Sequence, residues 1–249
     1  AGLRRLARSE AGWAFDEATK TPLDLGEGYE ASEAMFSKDL STLAVSAHWR
    51  APRGRRVDDG QGGHTYAYGR PNKPSGPNNY VVVVDAKSGA ELYRRDGRGI
   101  SFAETPTRLG FIMGSHVVLL DRKTWTATEI PVPGIVGRLS LTTRYFAVAG
   151  GGDIASLFEL SDTGWDEVGR WAINREDDGV AWIELHPTEP IVAVSGSKTA
   201  KVELCAPHRS VAKPAITVDG LSHAHFHPGG ERLIAFDREK NATHIFSLF

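Results

Sequence analysis

A pattern of short apolar runs separated by tight turns constrains the fold more than any other feature of this sequence. It is clearest over residues 180–204, VAWIELHPTEPIVAVSGSKTAKVEL, where three runs rich in β-branched residues are each too short for a helix. Pro187 and Pro190 prevent a helix between the first two runs, because proline fixes φ and lacks an amide hydrogen. The small polar segment 195–197 supplies a second turn. This stretch is therefore predicted to form three consecutive strands.

The same pattern returns along most of the chain. Clear copies lie at 221–236 and 34–45, and looser ones at 101–113 and 138–148. The equivalent positions are Phe36, Glu104, Leu141, Leu185 and Phe226. Their spacings are 68, 37, 44 and 41 residues, and three of these are close to the roughly 40 residues of one propeller blade. The pattern therefore predicts an all-β chain, a single β-propeller domain over residues 1–249.

Three segments carry a resemblance to a known family. HPTEPIVAVSGSKTAKVEL resembles the first three strands of a WD-repeat blade, and FHPGGERLIAF and FSKDLSTLAV resemble its strand-turn-strand portion. The Trp-Asp pair that gives the family its name is absent, and Cys205 follows Leu204 at that point. The resemblance to WD-repeat and WD-like β-propellers implies four-stranded blades and leaves the function open.

The two ends of the chain are complementary. Residues 221–249 supply three strands, whereas residues 12–25 read as an outer hairpin with its turn at Asp16–Pro22 and no inner strand before it. We expect N-terminal strand material to complete the last blade, since closing a ring of blades removes open sheet edges. One docked strand gives five blades and an independent N-terminal blade gives six; five is favoured.

Composition excludes several classes of function. The net charge of −2 argues against binding of polyanions by bulk charge, and the longest apolar runs are far too short to span a membrane. A single cysteine, Cys205, excludes internal disulfides and fits a reducing compartment, so a cytoplasmic location is expected. Signatures of phosphate-binding loops, of hydrolase nucleophiles and of paired glycosidase carboxylates are missing, and no cofactor and no catalytic residue is predicted.

Residues 50–79 interrupt the first full repeat. They contain six glycines and four prolines, so no regular element is predicted there. Six basic residues against two acidic ones give the segment a net charge of +4, with aromatic side chains interleaved. The candidate partner-binding residues are Arg50, Arg53, Arg55, Arg56, His64, Tyr66, Tyr68, Arg70 and Lys73. This pattern suits an acidic protein surface, or phosphate contacts with base stacking, and a plain solvated loop is the alternative.

One face of the predicted inner strands is markedly polar. Its residues, which would line a central channel, are Glu33, Arg138, Trp182, Glu184, His223 and His225. Such convergence suits a small polar ligand, and a solvated channel with internal ion pairs is the alternative. His223, His225 and His227 alternate and are expected to point to one side of a strand, where such imidazoles could share zinc with Glu184, but no metal site is predicted.

Taken together, these features favour a non-enzymatic scaffold that binds another protein, as part of a multi-subunit complex, through the face that carries residues 50–79. Binding or hydrolysis of a small ligand or sugar in the channel is a second hypothesis. Nucleic-acid binding by the basic insertion is a third and less favoured hypothesis. A membrane partner is not expected.

Overall fold

A computed structural model describes residues 2–9, 12–50, 55–58, 64–67, 76–132, 134, 137–150, 154–162, 164–173, 180–196, 201–207, 216–237 and 239–248. For residues 2–9, 12–22, 55–58, 64–67 and 181 the description covers the backbone. The chain divides into two compact units, residues 1–98 and residues 99–249. The prediction that residues 1–249 form one domain stays a prediction. No helix in the described ranges has the length and apolar character needed to cross a membrane.

The described residues of the first unit form one four-stranded sheet and two hairpins. Its strands are β1 (Gly2–Ser9), β2 (Gly12–Pro22), β3 (Tyr29–Phe36), β4 (Thr42–Trp49), β5 (Arg55–Asp58), β6 (His64–Ala67), β7 (Asn79–Asp85) and β8 (Glu91–Asp96). The sheet has the order β3-β4-β7-β8 and is antiparallel throughout. Its core consists of alternate residues such as Val45, Ala47 and Val82, which pack with Leu25.

The N-terminal residues differ from the prediction. The segment Asp16–Pro22, expected to be a turn, belongs to the long strand β2, which pairs with β1. The pairing satisfies backbone groups on the facing edges of both segments, with Arg5 opposite Asp16 and Leu3 opposite Thr21. Turn residues such as Asp16 were therefore overridden by strand pairing that a local pattern does not reveal.

The second unit contains four sheets that follow one another along the chain. Its strands are β9 (Gly99–Glu104), β10 (Arg108–Met113), β11 (His116–Asp121), β12 (Ala127–Pro131), β13 (Arg138–Leu141), β14 (Tyr145–Ala149), β15 (Ile154–Ser161), β16 (Gly164–Ala172), β17 (Val180–Leu185), β18 (Val192–Gly196), β19 (Lys201–Cys205), β20 (Ile216–Asp219), β21 (Ser222–Phe226), β22 (Arg232–Asp237) and β23 (Ala242–Ser247). Three of these sheets have four strands, β9 to β12, β13 to β16 and β17 to β20. The last, β21-β22-β23, has three strands in the described chain.

Together with the first-unit sheet this makes five blade-like sheets, which confirms the favoured strand grouping. Completion of the last sheet by an N-terminal strand stays a prediction, since β1 and β2 pair with each other in a hairpin of their own.

The core of the second unit lies between successive sheets. One cluster joins Leu157 and Trp171 of the sheet β13 to β16 with Ile183 and Val194 of the next sheet. Similar clusters lie on either side of it along the chain. Second strands such as β14 and β18 are buried along their whole length, because both of their faces contact apolar side chains.

A side chain that can form hydrogen bonds, either a hydroxyl or an imidazole, starts the turn between the first and second strands of each sheet. In four sheets a hydroxyl or imidazole there accepts a hydrogen bond of 2.9–3.2 Å from an amide later in the turn, and these residues are Ser37, Thr105, Thr142 and His186. In the last sheet the equivalent residue is His227, whose Nδ1 lies 3.2 Å from the amide nitrogen of Gly229. Serine, threonine and histidine thus occupy the same position in this turn, which explains why the turn repeats in the structure while its sequence varies.

Candidate functional site

The predicted channel residues divide between the two units. Glu33 lies on β3 of the first unit, directly after a bulge between Ala31 and Glu33 in the pairing with β4. The other five residues lie on the first strands of three successive sheets in the second unit. The structure joins three of them, Trp182, Glu184 and His225, by direct contacts, and we call these three the His225 cluster.

Glu184 is the centre of the His225 cluster. Its Oε2 atom lies 2.8 Å from His225 Nδ1 and accepts a hydrogen bond of 3.2 Å from Trp182 Nε1. Its Oε1 atom accepts a 3.2 Å hydrogen bond from the amide of Phe226. Both carboxylate oxygens are therefore engaged, and Glu184 serves as an orienting group.

The imidazole of His225 is held on two sides but remains accessible. Its ring meets Trp182 edge to face with centroids 5.0 Å apart. The side chain is 50% exposed, while that of Glu184 is 24% exposed. Because an ionised carboxylate can only accept, Nδ1 carries the proton in this contact. The contact with Glu184 therefore uses Nδ1 and not Nε2.

A series of hydrogen bonds links the first strands of neighbouring sheets. Ser101 Oγ accepts from the amide of Leu139 at 2.8 Å, and Ser140 Oγ accepts from the amide of Leu185 at 3.0 Å. Glu184 continues the series to Phe226. First strands lie at the edge of their sheets, so these bonds satisfy amides that no strand partner reaches. We call this series the edge ladder.

The edge ladder was not predicted from the sequence. Part of its signal was present, because Ser140 and Glu184 occupy the same position in the aligned repeats. Ser101 lies two residues earlier in its own repeat, so no single position identifies the whole ladder.

Two other predicted channel residues are exposed on the same strands. Arg138 is the first residue of β13, and His223 lies in a bulge of β21 with φ of 52°. Burial alternates along β21, so that His223 and His225 are both exposed and their neighbours are buried. Within the described residues, no three His, Cys, Asp or Glu side chains converge as a set of metal ligands.

His227 does not continue this face. The strand β21 ends at Phe226, and His227 starts the following turn, where its Nδ1 lies 2.8 Å from Glu231 Oε1. The expectation that His223, His225 and His227 share one face of a strand is therefore wrong for His227. The His-Pro turn removes it from the strand.

The insertion at 50–79 is not irregular throughout, which corrects the prediction. It contains a hairpin in which β5 pairs with β6, with Arg56 opposite Tyr66 and Asp58 opposite His64. The five residues 59–63 between the two strands include three glycines, and a short glycine-containing segment is a signal for a hairpin connection. Arg55 also lies on β5, whereas Arg53, Tyr68, Arg70 and Lys73 fall outside the described residues.

The base of the insertion is closed by hydrogen bonds. The amide of Trp49 donates to the carbonyl of Asn78 at 2.8 Å, which places the two ends of the insertion side by side. Tyr29 Oη donates to the carbonyl of Pro77 at 2.6 Å, and Arg50 Nη1 pairs with Glu30 Oε2 at 2.9 Å. Burial raises the pKa of the neighbouring Tyr80, whose hydroxyl bonds the carbonyl of Leu25. The insertion therefore leaves the sheet from a well-ordered platform.

Comparison with known proteins places the fold. No protein-family profile and no curated protein sequence matches the chain. The β-propeller domain of Cps50 (Swd1) from Myceliophteria thermophila is similar over 90% of this chain and 67% of its own length, with a TM-score of 0.55 and 12% identity. The Dos1 propeller is similar over 99% of this chain, with a TM-score of 0.62 and 11% identity. This chain spans 62% of that propeller's length.

At these identities the likenesses show the fold alone, and the WD-repeat resemblance stays a resemblance. With five blade-like sheets and two propellers as structural neighbours, the chain has the all-β fold of a β-propeller.

Proposed function

We propose that this protein is a non-enzymatic interaction scaffold that binds a protein with an acidic surface, as a subunit of a larger complex. The binding surface is the one that carries the insertion 50–79. The observation that supports this most is the insertion itself, which the sheet does not need for its own closure.

The second sheet along the chain provides the comparison. There the connection between the second and third strands is the two-residue turn Gly114-Ser115, with Met113 directly opposite His116. In the first sheet Trp49 and Asn78 face each other in the same way, yet 28 residues lie between them. A long connection in a compact domain is usually functional or disordered, and this one contains a paired hairpin.

Charge indicates the kind of partner. The insertion carries +4 while the whole chain carries −2, so the basic character is local. A local basic patch with aromatic residues steers and holds an acidic protein surface, and arginine and tyrosine are enriched among the residues that dominate binding energy.

The experiment replaces residues 50–77 by Gly-Ser, which copies the turn of the second sheet. Wild-type and shortened proteins are compared as baits in lysate of the source cells, with a nuclease-treated arm. Loss of a captured protein on shortening, with an unchanged circular dichroism spectrum, supports the proposal. Unchanged capture contradicts it, and capture that disappears with nuclease moves the assignment to nucleic acid.

A charge-reversal pair refines the surface. The variant R55E/R56E should lower the affinity for the captured partner at least about tenfold, and this loss should shrink as salt is raised. The matched control K38E/K87E reverses two charges elsewhere in the same unit and should leave the affinity unchanged.

A further inference from the structure

The His225 cluster has features that neither the edge ladder nor partner binding requires. In the ladder, Ser140 performs at its position the task that Glu184 performs at the equivalent one, namely accepting an amide hydrogen bond from the next first strand. A serine is sufficient for that task. The edge ladder does not need the second carboxylate oxygen of Glu184, and this oxygen contacts His225 and Trp182.

The pairing of His225 with Glu184 matches the outer support of a metal-binding histidine. A histidine that ligates a metal commonly donates its other ring N–H to a carboxylate, which fixes the tautomer and makes the ligating nitrogen more basic. Nδ1 of His225 donates to Glu184 at 2.8 Å, and Nε2 faces away from that bond. The packed edge of Trp182 fixes the ring plane. The imidazole is thus oriented before any ligand arrives.

A second imidazole lies on the same strand. His223 precedes His225 by two residues on β21, and both side chains are exposed; alternate residues of a regular strand are roughly 6–7 Å apart. The left-handed backbone at His223 belongs to a bulge, and bulges redirect side chains. The strand therefore carries two candidate imidazole ligands, one of which has a carboxylate behind it.

We propose that His225 and His223 bind a divalent transition-metal ion of the zinc class, with Glu184 as the support behind His225. Neutral imidazole nitrogens are preferred ligands of such ions. Glu184 stays out of the coordination sphere, because both of its oxygens are already engaged, which differs from a site that uses the carboxylate as a ligand. Water fills the remaining positions, so the site is open. It lies in the second unit and does not depend on the proposed partner surface.

The test is isothermal titration calorimetry of the full chain with zinc chloride in a non-chelating buffer at pH 7.5. The wild type should show saturable binding to one site. H225Q should abolish it, and H223Q should weaken it. E184Q keeps an amide oxygen for the Phe226 amide and should weaken binding about 10- to 100-fold.

The control H116Q removes an imidazole from the start of β11 and should leave binding unchanged. Copper(II) gives a second readout, because an ion at His225 quenches the fluorescence of Trp182, and the variant W182F should lose that part of the quenching. Metal-free thermal unfolding of each variant identifies any that fails to fold, in which case H223Q and E184Q decide the question. No saturable zinc binding by the wild type, or equal affinity in H225Q, overturns the proposal.

Discussion

At the scale of single residues, the most constrained position is His186. It is 1% exposed, and its Nε2 lies 2.8 Å from the carbonyl oxygen of Gly230 in the next sheet. Its Nδ1 accepts from the amides of Thr188 and Glu189, so Nε2 is the nitrogen that donates. One side chain therefore shapes its own turn and fastens that turn to the following sheet.

Removing this imidazole should be costly. H186A leaves the Gly230 carbonyl and two turn amides without their partner, and we expect the free energy of unfolding to fall by about 2–4 kcal/mol. The half-exposed His227 starts the equivalent turn of the next sheet, and H227A should cost less than about 1 kcal/mol. Urea unfolding of both variants measures the difference, and equal losses would show that the contact with Gly230 adds nothing.

A comparison of two glycines distinguishes the stability cost of backbone strain from the cost of steric overlap. Gly230 and Gly220 have φ of 83° and 82°, but a Cβ atom at Gly230 would overlap the His186 ring, whereas open space surrounds Gly220. G220A should therefore cost only the left-handed strain of about 1–2 kcal/mol. G230A should cost clearly more, because His186 must also move. Thermal unfolding of the two variants checks this order, and the reverse order would contradict the described packing.

At the scale of elements, the local sequence pattern predicts the strands but not the hydrogen bonds that link one sheet to the next. The strands β10 and β17 were predictable from apolar periodicity and turn residues, since they lie within the repeats recognised at 101–113 and 180–204. The edge ladder and the Glu184–His225 pair join residues about 40 positions apart. Sequence alone supplied the polar face but not which of its members touch. The turn at Asp16 was mispredicted because pairing with β1 overrides local preference.

The edge ladder should contribute measurably to stability. S140A removes the acceptor of the Leu185 amide on an unpaired strand edge, and we expect a loss of about 1–2 kcal/mol. The control S115A alters an exposed hydroxyl in a turn and should change stability by less than about 0.5 kcal/mol. Chemical denaturation measures both, and a neutral S140A would mean that water replaces the bond without cost.

The turn between β11 and β12 should make a contribution to stability that is sensitive to acid. The amides of Thr124 and Lys123 donate to Asp121 and hold the pKa of its carboxyl below the ordinary value of 3.8. A pKa depressed in the folded state contributes stability that is present above the unfolded pKa and is lost as pH falls through the folded one. The melting temperature should therefore decline below about pH 4. D121N should flatten that decline, and an unaltered pH profile would contradict this origin.

At the scale of the whole molecule, five blade-like sheets were predictable because the repeat spacing recurs. The division into residues 1–98 and 99–249 was not, because the sequence carries no change of pattern at Arg98. The single cysteine offers a test of the single-domain prediction. Cys205 is fully buried in the second unit, so its thiol should react with a disulfide reagent only after unfolding. Its reactivity should appear over the same urea range in which circular dichroism of the whole chain is lost, and two separate ranges would indicate two domains.

The hydrogen bond between Trp49 and Asn78 has a consequence for how this protein can vary. Because the sheet is already closed at that pair, the number of residues beyond it is nearly uncoupled from the stability of the fold, and each doubling of a flexible loop costs only about 0.6 kcal/mol. Residues can therefore be added, removed or exchanged between Trp49 and Asn78. Related chains can therefore differ there in length and charge while keeping the same strands, and a reporter peptide placed there would be displayed by an unchanged scaffold.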